Sequence, residues 1–392
     1  MKTILISCSD ANSLRNFRGR LIGALRAAGH QVVAVAPAFP PAIRAWCDEV
    51  GIATETTPLA NQSLNPFRDA AAIAHLYRLV RRHRPDVVMG YTHKPALYTA
   101  FAARLAGVPK VTMMVTGMGF GFEPGAGFAR RVVPAITRTL FRIGCAACDT
   151  VIFHNRDNRD HFVAAGLLKD PAKAVVVAGS GVDLAHFRPQ PLAAATPDAL
   201  TFLLVARIVR YKGILEYARA AEALKRRYPE ANFLLAGYRD RNPLGYSDEE
   251  WSYIERHLDY LGQAEDVRPL YGRAHAYVLP SYGEGMPRTV LEAMASGRAI
   301  VTTDTYGCRD TVEEGVNGHL VPIRAWEPLV EAMEHFLAGR SDSAAMGAAS
   351  LERARRLFDV DGVNRDMLAA LGVAADAARQ PDRPPAAPAE AA

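Results

Sequence analysis

The sequence predicts two doubly wound α/β domains, each built on a parallel sheet. Short β-rich apolar runs alternate with helical patterns, the alternation pauses once at a proline-rich stretch, and 392 residues exceed one ordinary core. In the first half, strands are expected at 3–7, 31–36, 86–90, 110–115, 150–153 and 174–177. The segments between them are long enough for crossover helices, as a parallel sheet covered on both faces requires. After the pause the rhythm resumes, with strands expected at 201–206, 232–236, 276–279, 299–302 and 319–321. The pause at 187–199 carries Pro189, Pro191 and Pro197 without periodicity and reads as a linker. The expected organisation is therefore a domain at 1–186, the linker, a second domain at 200–372 whose last helices pack back on the first, and a disordered tail at 373–392. That tail is Ala, Pro, Asp and Arg with almost no large apolar side chains.

Hydrophobic residues make up 49% of the chain and charged residues 22%, the usage of a globular protein with a sizeable core. Apolar runs are broken by Pro, Lys or Glu before reaching the roughly 18 residues that a membrane span needs. Residues 1–7 are too short an apolar run for a signal peptide and read as a buried first strand of a cytoplasmic protein. Cys8, Cys47, Cys145, Cys148 and Cys308 are odd in number and irregularly spaced, which fits packed thiols in a reducing compartment better than a disulfide framework. The net charge of +5 conceals an asymmetry. The first 190 residues hold 23 Lys and Arg against 12 Asp and Glu, whereas the rest holds 23 against 29. A basic first half suits nucleic acid, an anionic membrane surface or a phosphorylated substrate, and composition does not choose among them.

The chemistry is written most clearly between Val278 and Gly297. A strand runs out at Pro280, a Gly-rich loop carries Glu284 and Gly285, Pro287 stands at the expected first position of a helix, and Gly297 closes that helix. Such a loop aims backbone N–H groups outward at a positive helix end, a cradle for a diphosphate. Glu292 falls about one turn into the helix, so the two carboxylates address different parts of one ligand. Each accepts two hydroxyl hydrogen bonds at once, as a ribose diol or a sugar ring offers. Arg207 and Lys212 follow the second domain's first strand, at the carboxyl edge where open α/β sheets bind ligands, and supply the cations a leaving diphosphate needs.

These residues make the chain resemble the family-4 retaining glycosyltransferases of the GT-B fold, particularly bacterial members that build surface and lipid-linked glycans. The resemblance covers residues 1–371. Its most specific part is Glu284 and Glu292 in the E-x7-E pattern, followed by Ala293–Val301; Asn16-Phe17-Arg18-Gly19, Gly179-Ser180-Gly181 and Gly315-Val316-Asn317-Gly318 match more weakly. The resemblance implies that Glu292 holds the ribose hydroxyls and Glu284 the donor sugar near the reacting centre. It also implies that Arg207, Lys212 and the N–H groups of Gly285 and Met286 hold the diphosphate. Gly19, expected in the loop after the first strand, would let backbone approach the donor from the other domain. The implied reaction retains anomeric configuration, with a UDP-linked hexose or N-acetylhexosamine as donor and a glycan or polyprenyl-diphosphate-linked sugar as acceptor. No cofactor is required and no metal is called for, because the cations and the helix end can perform that electrostatic task.

The chain departs from the family at 115–122, where many relatives carry a histidine and this sequence has none; His93 is the nearest residue of similar type, catalytic or structural. Gly117-x-Gly119-x-Gly121 is not the dinucleotide fingerprint. Asp359-x-Asp361 resembles a metal pair but reads as a helix start. Two basic amphipathic helices are expected at 68–84 and 128–148. The second, with Arg130, Arg131, Arg138 and Arg142, either lies on an anionic membrane surface, making the enzyme peripheral, or packs on the sheet with its arginines solvated. Competing readings are a nucleotide-sugar epimerase or hydrolase of the same shape and a non-catalytic binding protein. No nucleic-acid partner is expected, since the basic half lacks a nucleic-acid motif.

Overall fold

In a computed structural model, residues 1–59, 65–117, 128–192, 194, 196, 199–239 and 245–373 are described; for 128–132 only the backbone is. The expected tail beyond residue 373, Gly119 and Gly121 lie outside the described residues, as do the side chains of Arg130 and Arg131. Two parallel sheets carry the fold. The first contains β1 (Thr3–Ser7), β2 (Gln31–Ala36), β3 (Ala53–Thr56), β4 (Val87–Tyr91), β5 (Lys110–Val115), β6 (Thr150–Phe153) and β7 (Ala174–Val176), in the order β3-β2-β1-β4-β5-β6-β7. The second contains β8 (Thr201–Val205), β9 (Asn232–Ala236), β10 (Asp259–Tyr260), β11 (Ala276–Leu279), β12 (Ala299–Thr303) and β13 (Gly318–Val321), in the order β10-β9-β8-β11-β12-β13. Both are doubly wound, as the alternating pattern predicts.

Two strands escape the sequence reading. β3 is Ala-Thr-Glu-Thr at a sheet edge and β10 has two residues at the other sheet's edge; neither buries an apolar run. The central strands are covered on both faces. In β1, Leu5 joins one core under the helices Pro66–His83 and His93–Leu105, while Ile4 and Ile6 join another under Asn12–Ala27 and Pro41–Val50. All five cysteines are free and buried, and burial pushes the Cys145 thiol up to about 12, so the pair at 145 and 148 is packing.

The order reverses at β1/β4 in one sheet and at β8/β11 in the other, and at such switch points loops diverge to leave a crevice. The chain crosses between the domains after β7. It crosses back at Asp359, whose carboxylate accepts from the N–H of Asp361, the helix-start role read from the sequence. The two crossings pair with each other: Val182 donates to the Phe358 carbonyl at 2.8 Å and Val360 to the Val182 carbonyl at 3.0 Å. A side chain at Gly181, φ +67°, would stand 2.7 Å from the Val360 Cα. The last helix, Val360–Leu371, then buries Val363, Met367 and Leu371 in the first domain's core. Among the described residues no helix is long and apolar enough to cross a membrane.

Candidate active site

Lys212 and Glu284 are brought together from two loops at the carboxyl edge of the second sheet. After β8, residues Arg210–Lys212 form one tight turn, and Gly213 takes φ +70° because a Cβ there would lie 2.0 Å from the Pro280 carbonyl oxygen. That close approach locks the β8 loop against the β11 loop. Tyr282 donates its N–H to the Tyr211 carbonyl at 2.8 Å, and Ser281 Oγ lies 3.1 Å from the same oxygen. Lys212 Nζ then reaches Glu284 Oε1 at 2.5 Å, and Ser281 Oγ lies 2.6 Å from that oxygen. The two side chains are 17% and 13% exposed. Burial works against the Lys212 ammonium, yet Glu284 and Tyr211 together leave it above the ordinary lysine value, so it stays charged.

Pro287 caps the next helix, Arg288–Ala295, rather than occupying its first turn: ψ of 100° keeps it extended, and the helix starts one residue later than expected. Glu292 lies in its second turn, and Gly297 at φ +77° ends it. Arg288 Nε donates to Glu292 Oε1 at 2.9 Å and the Tyr271 hydroxyl to Oε2 at 3.0 Å. Burial raises the Glu292 carboxyl above its usual range, with Arg288 and Tyr271 opposing. Two donors leave lone pairs on each oxygen free to accept more.

The first domain meets this loop directly. A Cβ on Gly285 would fall 1.7 Å from the Thr116 carbonyl oxygen after β5, and Asn155 after β6 donates its Nδ2 to the Gly285 carbonyl at 2.5 Å. A Cβ on Gly179 would stand 2.6 Å from the Met286 Cβ. Among the described residues the N–H groups of Gly285 and Met286 donate no hydrogen bond. His93 opens the helix His93–Leu105, and its Nε2 lies 3.1 Å from the Gly117 carbonyl, beside the same loop.

Arg207 is exposed and donates to the Tyr211 hydroxyl at 2.6 Å. The centre of the Tyr211 ring lies 5.9 Å from the Arg207 guanidinium and 5.4 Å from the Lys212 ammonium. Gly19 corrects the sequence reading: it is not in the loop after β1 but inside the helix Asn12–Ala27, which begins after only four intervening residues because Asp10 bonds the N–H of Asn12. A Cβ there would meet Trp46 at an ordinary 3.6 Å, so no close approach within the protein demands glycine. Sequence reasoning also passed over Arg288, Tyr271, Ser281 and Asn155. Arg288 alone was visible, four residues before Glu292 on one helix face.

Residues 15–179 match the family model for the glycosyl transferase 4-like domain, and residues 199–339 match that for glycosyl transferases group 1. A Campylobacter jejuni N,N'-diacetylbacillosaminyl-diphospho-undecaprenol alpha-1,3-N-acetylgalactosaminyltransferase is 28% identical over 78% of this chain and 81% of its own. An Escherichia coli UDP-Gal:alpha-D-GlcNAc-diphosphoundecaprenol alpha-1,3-galactosyltransferase is 27% identical over 70% and 72%. The solved structure of Anabaena HepE in complex with UDP and glucose superposes with a TM-score of 0.73 at 18% identity, covering 95% of this chain and all of that one. This likeness shows the GT-B fold, two doubly wound domains facing across a cleft.

Proposed function

The chain belongs to the glycosyltransferase family that those two models describe, and from that premise we propose that it transfers a hexose or N-acetylhexosamine from a UDP-linked donor to a polyprenyl-diphosphate-linked sugar. The product would serve bacterial surface-polysaccharide or glycoprotein-glycan assembly. The observation that carries this reading is the Lys212–Glu284 pair, held at the crevice by Ser281 and followed along the chain by the Arg288–Glu292 pair. Both bacterial relatives have names that specify a lipid-diphosphate acceptor, which supports the acceptor class.

In this mechanism Glu292 accepts the ribose hydroxyls and Glu284 the donor-sugar hydroxyls. Lys212, Arg207 and the Gly285 and Met286 N–H groups hold the diphosphate. The bond from the anomeric carbon to the β-phosphate oxygen breaks as charge gathers on that oxygen. Fixed cations lower this barrier because they need no reorganisation when the charge develops. The acceptor oxygen bonds to the same face of the anomeric carbon, its proton passing to the departing phosphate, so configuration is retained and no protein base is required. His93 would then steady Gly117 beside the loop. Ile136 and Ile143, both about half exposed and seven residues apart on one side of the helix Phe128–Ala147, are flanked by the exposed Arg138 and Arg142, an apolar strip with a cationic margin that a peripheral enzyme would lay on an anionic membrane.

The test is incubation of UDP-linked hexoses and N-acetylhexosamines with a synthetic polyprenyl-diphosphate-linked sugar, reading the lipid product by mass and its anomeric configuration by NMR. A product of retained configuration supports the proposal. Donor consumption that ignores the acceptor would instead mean hydrolysis or epimerisation.

A further inference from the structure

One charge in the cleft is left over by this mechanism. Arg18, on the helix Asn12–Ala27, is 3% exposed. Its Nη2 donates to the Met114 sulfur at 2.8 Å and lies 3.2 Å from His154 Nε2, and its guanidinium sits 5.3 Å from the centre of the Tyr91 ring. Nε is buried without a partner, while Nη1 makes no hydrogen bond to a described residue and is not sealed off as Nε is. None of these partners is an anion. Burial, and Arg18 itself, push the His154 imidazole down to about 3, so it is neutral and accepts through Nε2. Burial likewise keeps the Tyr91 phenol protonated. Among the described residues, then, a buried cation has no countercharge, an arrangement that costs stability unless something pairs with it.

Its surroundings indicate what does. Tyr91 ends β4, Met114 lies near the end of β5 and His154 follows β6, so Arg18 stands at the carboxyl edge of the first sheet. Burial lowers its affinity for a proton, with Tyr91 opposing and Arg288 of the facing domain adding to the fall. The ring of Phe17, the preceding residue, lies 5.1 Å from the Arg288 guanidinium. Two guanidiniums therefore converge from the two domains, one neutralised by Glu292 and the other not. A guanidinium fork matches the oxygens of a phosphate group, which can bridge both.

We propose that Arg18 is a substrate-binding residue that donates to the phosphate oxygens of a diphosphate group across the cleft from Arg288. The inference rests on the transferase reading, in which both the nucleotide donor and the lipid acceptor bring a diphosphate. The test measures wild type, Arg18→Met and Arg18→Lys by calorimetry with inorganic pyrophosphate, UDP and farnesyl diphosphate, with melting curves of the ligand-free proteins. Arg18→Met should melt at or above wild type, since it removes an unpaired buried charge, yet bind pyrophosphate about 10- to 100-fold more weakly. The same loss with UDP alone assigns the donor, and with farnesyl diphosphate alone the acceptor. Unchanged affinity for all three probes overturns the proposal, whatever the melting curve. Should Arg18→Met fail to fold, Arg18→Lys decides: it keeps the charge without the fork, and unchanged affinities overturn the proposal. If Lys212→Met abolishes UDP binding while Arg18→Met changes nothing, the nucleotide site stands and this inference falls. If wild type binds pyrophosphate through Arg18 but no nucleotide, the donor reading falls instead.

Discussion

Removing the Lys212 charge tests the proposed clamp and the fold together. Lys212→Met leaves Glu284 with the Ser281 hydroxyl as its remaining side-chain donor. Breaking a fully buried pair costs about 3–5 kcal/mol, and the residual exposure of 17% and 13% admits enough water to bring the expectation to about 2–3 kcal/mol. Because the folded-state value of Lys212 is raised, its contribution is fully present below the ordinary lysine value and is lost only as pH rises through the folded one. Melting at pH 7 therefore reads the whole effect, a fall of about 5 °C for a domain of this size. Turnover should fall about 10²- to 10³-fold, as when one transition-state donor is deleted. Lys212→Met with Glu284→Gln separates the two roles. Taking away both charges should restore about 1–2 kcal/mol of the loss, the coupling expected of residues in contact, without restoring turnover. Wild-type turnover in Lys212→Met, or recovered turnover in the double variant, would refute the electrostatic argument.

Glu292→Gln should stabilise the empty protein and weaken UDP binding: the raised folded value means that Glu292 contributes stability below its unfolded value and loses it as pH rises through the folded one, so the gap over wild type should widen from pH 4 to pH 7 in melting curves. Glu284→Ala should lower turnover more than it weakens binding of free UDP, because Glu284 faces the sugar, and an equal loss of UDP affinity in Glu284→Ala and Glu292→Ala would contradict that division. Gly285→Ala should hold the domains apart, since its Cβ would overlap the Thr116 carbonyl at 1.7 Å, lowering turnover while increasing the radius of gyration in small-angle scattering; an unchanged radius would count against it. Arg138→Glu with Arg142→Glu should weaken sedimentation with anionic liposomes more than tenfold at low salt, at about 1 kcal/mol per arginine removed, and undiminished sedimentation would assign that helix to packing alone.

The fold was legible because central strands of a parallel sheet announce themselves: Ile4–Ile6, Val32–Ala36 and Leu203–Val205 are apolar on both faces. Edge strands are not so constrained, which is why Ala53–Thr56 and Asp259–Tyr260 went unread. Within the site, chain-local relations were readable. Glu284 and Glu292 lie in one loop and one helix, and their spacing is a property of the sequence. Gly19 was misplaced because a helix can begin after only four intervening residues when Asp10 turns the chain, a choice made by one side-chain hydrogen bond. Arg18 was quoted in a motif and given no role. Its meaning lies in Met114, His154 and Tyr91, which only the folded sheet brings to it.

The paired crossings at Val182 and Asp359 make the connection between the halves a double strap. A single tether would let the halves tumble, whereas two adjacent ones define an axis, so opening and closing becomes a swing about that line. The same strap carries the last helix into the first half's core, so residues 1–186 expressed alone would present an open apolar seat where Val363, Met367 and Leu371 belong. A soluble fragment of that half needs residues 360–373 supplied as well, by fusion or in trans.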